Sequence, residues 1–119
     1  MNDFERMEHL AVRTKLSLRE ICSRLESALR TSSFDFDHEN ETEWGIAKLG
    51  DLEINVSRPY ERGTLKKWDD SVPNGFDVGV SICVPAGADA PALDEIVRAI
   101  ASALGADVVH HRTWTAPRK

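Results

Sequence analysis

Apolar and polar residues alternate along three stretches of the sequence, residues 9–16, 52–57 and 76–84. Successive side chains of a strand point to opposite faces of a sheet, so this pattern predicts three strands that each bury one face. A further segment, residues 44–49, ends at a Gly50-Asp51 turn and is predicted to pair with the strand that follows as a hairpin. Residues 108–112 are predicted to form a short last strand.

Two other stretches place apolar residues at helical spacing. The first begins at a capping box, in which the Ser17 hydroxyl accepts from the backbone of Glu20 and the Glu20 carboxylate accepts from the backbone of Ser17. The second is predicted to begin with Asp89 as its cap and Pro91 in its first turn, and to end at Gly105. The apolar faces are Leu18, Ile21, Cys22, Leu25, Ala28 and Leu29 in the first, and Leu93, Ile96, Val97, Ile100, Ala101 and Leu104 in the second.

The order of these elements, β-α-β-β-β-α-β, predicts an α+β fold. Two helices are expected to pack on one face of a mainly antiparallel sheet of about five strands. The 119 residues fit a single domain that can bury a core without disulfide bonds. We expect residues 1–8 and 115–119 to be flexible. Cys22 and Cys83 fall on apolar faces and are expected to be buried thiols.

Residues 34–44 follow a different pattern, because acidic residues occupy every second position with no basic residue between them. If the stretch is one strand, its carboxylates form a row on one face, and neighbours repel by roughly 0.6 kcal/mol in water. Such repulsion does not favour folding, so the row is a candidate binding surface. Residues 44–49 either continue this strand or begin a new one after a bulge at Gly45. The acidic row consists of Asp35, Asp37, Glu39, Glu41 and Glu43.

The acidic row also has two simpler interpretations, a solvated strand face and an edge whose charges prevent unwanted strand pairing. The third interpretation is binding to a cationic partner by electrostatic steering. The net charge of −5 equals the charge of the row, since the other 15 acidic residues balance 15 Lys and Arg. This balance disfavours nucleic-acid binding, which depends on clusters of basic residues.

A long connection, residues 58–75, shows no clear periodicity. Loops of this length are uncommon in compact domains and often bind partners. Tyr60 and Trp68 are candidate anchors because rigid aromatic side chains are typical of interface hot spots. In the alternative interpretation, both fold back and cover the end of the sheet. Together with Trp44, the candidate partner-binding residues are Asp35, Asp37, Glu39, Glu41, Glu43, Trp44, Tyr60 and Trp68.

Motifs for catalysis, cofactors or metals do not occur. The sequence has no paired-Cys or His-x-x-x-His zinc pattern, no Gly-rich phosphate loop and no Gly-x-Ser-x-Gly elbow. Carboxylates along a strand form a line instead of a cage, which disfavours Mg²⁺ or Ca²⁺. We therefore expect no catalytic residue, cofactor or metal. The alternative is a small enzyme that uses His110 or His111 with an acid such as Glu53.

The N-terminus lacks the basic start and apolar run of a signal peptide, and no segment approaches 18 apolar residues. We expect a cytoplasmic protein that does not bind membranes.

Three segments, residues 36–44, 55–60 and 110–114, together resemble small cytoplasmic immunity proteins of bacterial polymorphic toxin systems, including those of contact-dependent growth inhibition. The resemblance implies a protein without enzymatic activity that binds the toxin domain of its own system and covers its active site or a nearby surface. It assigns no individual binding residue. A monomer or a homodimer fits this expectation, and a self-associating interaction domain is a further alternative.

Overall fold

The computed structural model describes residues 4–88 and 92–117. In these residues, six antiparallel strands form one sheet in the order β2-β3-β4-β5-β1-β6. The α+β fold predicted from the sequence is confirmed, with one more strand and one more short helix than expected. The elements are β1 (Phe4–Arg13), α1 (Leu18–Leu29), β2 (Asp35–His38), β3 (Thr42–Leu49), β4 (Leu52–Pro59), α2 (Thr64–Trp68), β5 (Val78–Pro85), α3 (Leu93–Leu104) and β6 (Asp107–Thr115).

Helices α1 and α3 cover one face of the sheet. The predicted capping box forms, since the Ser17 N–H donates to the Glu20 carboxylate at 3.1 Å and the Glu20 N–H donates to Ser17 Oγ at 3.2 Å. Helix α3 ends at Gly105, whose left-handed conformation favours glycine. Asp89 and Pro91, the predicted start of this helix, lie outside the described residues. The buried core beneath the helices includes Leu10, Val12, Leu18, Ile21, Leu25, Ile54, Val56, Val80, Ile82, Ile96 and Ile100.

The opposite face is covered in part by the connection between β4 and β5. Leu65, Val72 and Phe76 of this connection pack with Ala11 of β1. Gly79 of β5 allows the close approach, because a Cβ there would lie 3.3 Å from a methyl group of Leu65. Helix α2 lies within this connection and has only five residues, too few to show a helical period in the sequence.

Both cysteines are free and buried. Cys22 lies on α1 within the core between helices and sheet. The side chain of Cys83 lies on the other side of the sheet, since its neighbours on β5, Ile82 and Val84, belong to the core under the helices. Burial raises the pKa of Cys22 to about 12 and that of Cys83 to about 11, so both thiols stay protonated.

The chain begins its first strand earlier than the sequence suggests. Strand β1 starts at Phe4 and ends at Arg13, so the prediction of flexibility for residues 1–8 is wrong from Phe4 onward. The polar residues of this segment are stabilised by each other, as Arg6 Nε lies 3.0 Å from Glu8 Oε2. The Ala116 N–H, just beyond β6, donates to the Glu5 carbonyl at 2.9 Å.

The acidic stretch forms a hairpin instead of one strand. Strand β2 ends at His38, the chain turns at residues 39–41, and β3 begins at Thr42 without a bulge at Gly45. The Glu39 N–H donates to the Thr42 carbonyl at 2.8 Å and closes the turn. The prediction of a single row of five carboxylates is therefore wrong. The reversal pairs Phe36 with Gly45 under α1, and it separates some of the like charges.

A substitution at Gly45 tests the packing of the β2–β3 hairpin against α1. A Cβ at Gly45 would lie 3.0 Å from Phe36 Cε1 and 3.1 Å from Cys22 Sγ. Gly45→Val is therefore expected to lower the free energy of unfolding by about 1–3 kcal/mol through overpacking. Urea denaturation measures the effect. Lys48→Val, at an exposed position of the same strand, is the control and should change stability by only about 0.5 kcal/mol. Equal stability of the two variants would contradict the close contact between the hairpin and α1.

Candidate functional site

The β2–β3 turn brings several predicted binding residues to one corner of the molecule. The Tyr60 N–H donates to the Glu41 carbonyl at 3.0 Å, which fixes the end of β4 against the turn. Trp68 of α2 and residues 39–42 line one shallow depression. We call this surface the acidic corner. It consists of Asp37, Glu39, Glu41, Tyr60 and Trp68.

The carboxylates of the acidic stretch carry uncompensated charge. Asp35, Asp37, Glu39 and Glu41 are exposed, and Glu43 is half-buried. Within residues 4–88 and 92–117, no Lys or Arg forms an ion pair with any of these five side chains. Asp37 Oδ1 accepts from the backbone N–H of His38, at 2.8 Å. The negative charge of this surface is therefore available to a partner.

The hairpin distributes the acidic side chains over two faces. Asp35 and Asp37 share the face of the sheet opposite α1, where Asp37 lies beside the half-buried Trp44. Glu43 points to the other face, in register with Arg58 of β4. The structure thus separates Glu43 from the other acids, and Trp44 lies beside the corner without being fully exposed.

Both aromatic residues of the long connection are exposed, Tyr60 by 56% and Trp68 by 50%. The alternative that they fold back to cover the end of the sheet is therefore wrong. Leu65, Val72 and Phe76 cover the sheet instead. Because these apolar residues bury the inner side of the connection, Tyr60 and Trp68 are left on the outer side.

A cleft lies at the same end of the sheet, and no local pattern of the sequence indicates it. Its volume is about 1060 Å³. Glu43, Tyr60 and Asp77 contribute to its lining. The basic residues of the lining come from two segments, residues 13–15 and 58–66, which meet because β1 and β4 both end there. Only that common location of strand ends could have indicated the cleft. We call it the cationic cleft, after its basic residues Arg13, Lys15, Arg58, Arg62 and Lys66.

The adjacent residues His110 and His111 point to opposite faces of the sheet. His110 Nε2 lies 3.1 Å from Glu8 Oε1, and the Thr113 hydroxyl donates to the same oxygen. Glu8 is buried, and its other carboxylate oxygen lies 3.0 Å from Arg6 Nε. His110 therefore contributes to the satisfaction of a buried carboxylate.

His111 belongs to a hydrogen-bond network with the connection. Its Nδ1 lies 2.7 Å from Ser71 Oγ, which in turn lies 2.6 Å from Asp69 Oδ1. Arg112 Nε lies 2.9 Å from Asp69 Oδ2. Hydrogen bonds from Ser71, together with the Arg112 charge, lower the pKa of the Asp69 carboxyl. Asp69 is therefore ionised, the Ser71 hydroxyl donates to it, and His111 Nδ1–H donates to Ser71.

This proton arrangement does not activate the serine. A nucleophilic serine needs a histidine nitrogen that accepts its proton, whereas the Ser71 proton is directed at Asp69. The His111 side chain is also only 6% exposed. Glu53 is the acid suggested to act with His110 or His111. Its Oε1 atom instead lies 3.5 Å from Lys48 Nζ. The network attaches the connection to β6.

Metal-ligating side chains do not gather in the described part of the chain, where no three His, Cys, Asp or Glu residues form a group that could hold a metal ion. Over the same residues, every helix is too short or too polar to cross a membrane.

The fold and site define a small α+β protein with an uncompensated acidic corner beside a cationic cleft. In comparisons with known proteins, no family model and no curated protein matches this chain. The resemblance to immunity proteins therefore stays a prediction from three segments of the sequence.

Two histidines that face the connection, His9 and His111, are expected to make the stability depend on pH. Burial lowers the pKa of both His9 and His111 below the ordinary 6.5, and their ring centroids are 6.3 Å apart. Below about pH 6.5 the unfolded chain binds more protons at these histidines than the folded state does. The free energy of unfolding is therefore highest above pH 6.5, and it decreases as the pH falls from 6.5 toward the lowered pKa. Urea denaturation at about pH 7.5 and about pH 5.5 should show lower stability in acid.

Matched variants separate this effect from general acid sensitivity. His9→Gln combined with His111→Gln should flatten the pH dependence over this range, even where the variant is less stable at neutral pH. His38→Gln, at an exposed position, should leave the dependence unchanged. Stability that rises between neutral and mildly acidic pH would contradict the lowered pKa of the two histidines.

Proposed function

We propose that the protein is a toxin-neutralising immunity protein that binds a basic surface of a cognate toxin domain through its acidic corner. The observation that carries the proposal is a group of carboxylates that form no ion pair with a Lys or Arg in the described part of the chain, next to two exposed aromatic side chains. The resemblance of the sequence to immunity proteins supports the same class. As proposed, the protein acts in the cytoplasm as a monomer or homodimer, without a catalytic residue.

Repulsion among the carboxylates of the free protein favours binding of a cationic partner. Asp35 and Asp37 lie on one face of β2 about 7 Å apart and repel by roughly 0.6 kcal/mol in water. Glu39 and Glu41 add charge at the adjacent turn. A partner with basic side chains relieves this repulsion and is attracted from a distance, which raises the association rate.

The aromatic residues supply the contact that charge alone does not give. Interfaces combine a polar rim with buried aromatic anchors, and the anchors carry most of the binding energy. Trp68 lies in the depression bordered by residues 39–42, so one partner surface can contact the indole ring and the carboxylates together. Protection of the β2 edge by Asp35 and Asp37 explains their charge, but it does not explain an exposed Trp68.

Charge reversal at the corner tests the proposal. Asp37→Lys, Glu39→Lys and Glu41→Lys together should weaken binding to the toxin domain encoded beside this chain by about 100-fold, roughly 3 kcal/mol. Calorimetry at several salt concentrations measures the affinity, and co-expression measures protection of cells. The variant should also lose most of the salt dependence of binding.

The control for this triple variant carries the same change in net charge elsewhere. Glu5→Lys, Asp51→Lys and Glu95→Lys replace three exposed acids outside the corner and should keep the affinity and the protection. Equal loss in both triple variants would show that only total charge matters. A neighbouring coding sequence without a toxin domain would contradict the immunity function itself.

Trp68 is expected to be the main anchor. Trp68→Ala should weaken binding to the same toxin domain about 30-fold or more, about 2 kcal/mol, because the ring fills a partner pocket. Trp114→Ala is the matched control, since Trp114 is 39% exposed but lies on β6 at the other edge of the sheet. Surface plasmon resonance compares the two variants. A larger loss for Trp114→Ala would place the interface elsewhere.

A further inference from the structure

The cationic cleft contrasts in charge with the rest of the molecule. Its five basic side chains and its two carboxylates, Glu43 and Asp77, give it a net charge of +3. Since the whole chain carries −5, all residues outside the cleft together carry −8. Concentrating like charge at one place costs free energy, and an anionic ligand in the cleft would offset that cost.

Some of the cations are held in position before any ligand binds. Lys66 Nζ donates to the Val72 carbonyl at 2.8 Å. The Arg13 guanidinium lies 5.1 Å from the centre of the Phe76 ring and forms an ion pair with Asp107. Side chains fixed in this way lose little conformational entropy when an anion binds, which is the basis of preorganisation.

The other cations of the cleft have N–H groups that can donate to a ligand. Arg58 Nη1 donates to the Thr14 carbonyl at 3.5 Å, a single contact for a guanidinium that has five N–H groups. Lys15 and Arg62 are exposed at the edge of the cleft. Arginine groups bind phosphate through paired hydrogen bonds, so the donor set suits a phosphate-bearing ligand.

The surroundings limit the size of the ligand. A volume of about 1060 Å³ is at the upper end of small-molecule sites. Tyr60 borders the cleft and is also bonded through its N–H to Glu41 of the acidic corner. A long polyanion leaving the cleft on this side would pass the carboxylates of Glu39 and Glu41, which repel it. A small anion avoids this repulsion.

From these observations we infer that the cationic cleft binds a nucleotide-class ligand. The phosphates contact Arg58 and Lys66, and the base stacks on the exposed ring of Tyr60, an interaction that every nucleobase can make. Glu43 and Asp77 accept hydrogen bonds from the sugar or base. This site shares Tyr60 with the acidic corner, but its cations lie outside that corner and its test does not need a toxin.

Isothermal titration calorimetry with three probes tests the inference. The probes are ATP, inorganic tripolyphosphate and a single-stranded 12-nucleotide DNA. ATP should bind in the micromolar range and more tightly than tripolyphosphate, and the oligonucleotide should bind more weakly than ATP. Absence of ATP binding at millimolar concentration would overturn the site. Tighter binding of the oligonucleotide would overturn the limit on ligand size.

Charge-reversed variants locate the site. Lys15→Glu with Arg62→Glu should weaken ATP binding at least tenfold, and both positions are exposed, so the fold should persist. Arg24→Glu with Arg98→Glu makes the same change in charge at exposed positions of α1 and α3 and should bind ATP normally. An equal loss in the control pair would show that ATP responds to total charge and would overturn the assignment to the cleft.

A third variant tests the base-stacking role of Tyr60. Tyr60→Leu should bind ATP no more tightly than tripolyphosphate, because the stacking surface is lost while the cations remain. If this variant keeps the full preference for ATP, the nucleoside is not recognised by Tyr60 and the nucleotide assignment is overturned.

Discussion

Strands β1 and β5 are neighbours in the sheet and are buried on both faces at residues 10–12 and 78–80, and this constraint shapes the rest of the molecule. Helices α1 and α3 cover only one face. The connection between β4 and β5 must therefore supply apolar cover for the other, which it does through Leu65, Val72 and Phe76. His111 and Arg112 of the last strand hold this cover in place, through a hydrogen bond to Ser71 and an ion pair with Asp69.

The same connection determines the outer surface at this end of the sheet. Its inner side is apolar, so Tyr60, Arg62 and Trp68 are left on the outside. Opposite charges then lie close together without neutralising each other: Glu43 and Arg58 are in register on neighbouring strands but form no ion pair. One end of the molecule thus presents a negative and a positive surface side by side, and each can attract a different ligand.

Local patterns predicted much of the fold. The helical period of apolar residues predicted α1 and α3, because each helix buries one continuous face. Alternation of apolar and polar residues predicted β4 and β5, because each strand also buries one continuous face. The hairpin at residues 39–41 could not be read in this way, because it depends on Phe36 and Gly45 packing against Cys22, a contact with a distant helix. Alternating acids predict one strand, whereas the reversal after His38 places both Phe36 and Gly45 against the core.

The candidate site was predicted in part for similar reasons. Exposed aromatic residues in a long loop were a local signal, and Tyr60 and Trp68 are indeed accessible. The cationic cleft combines side chains from β1, β4 and the connection. No local pattern contains that information, since it arises from which strands end at the same side of the sheet.

The sheet also keeps the two cysteines apart. Cys22 and Cys83 are buried on its opposite sides, so an oxidant cannot join them while the six strands remain paired. Their protonated, inaccessible thiols become reactive only when the domain opens. The rate at which an alkylating reagent consumes each thiol therefore reports how often the structure around that cysteine opens, by local or by global unfolding.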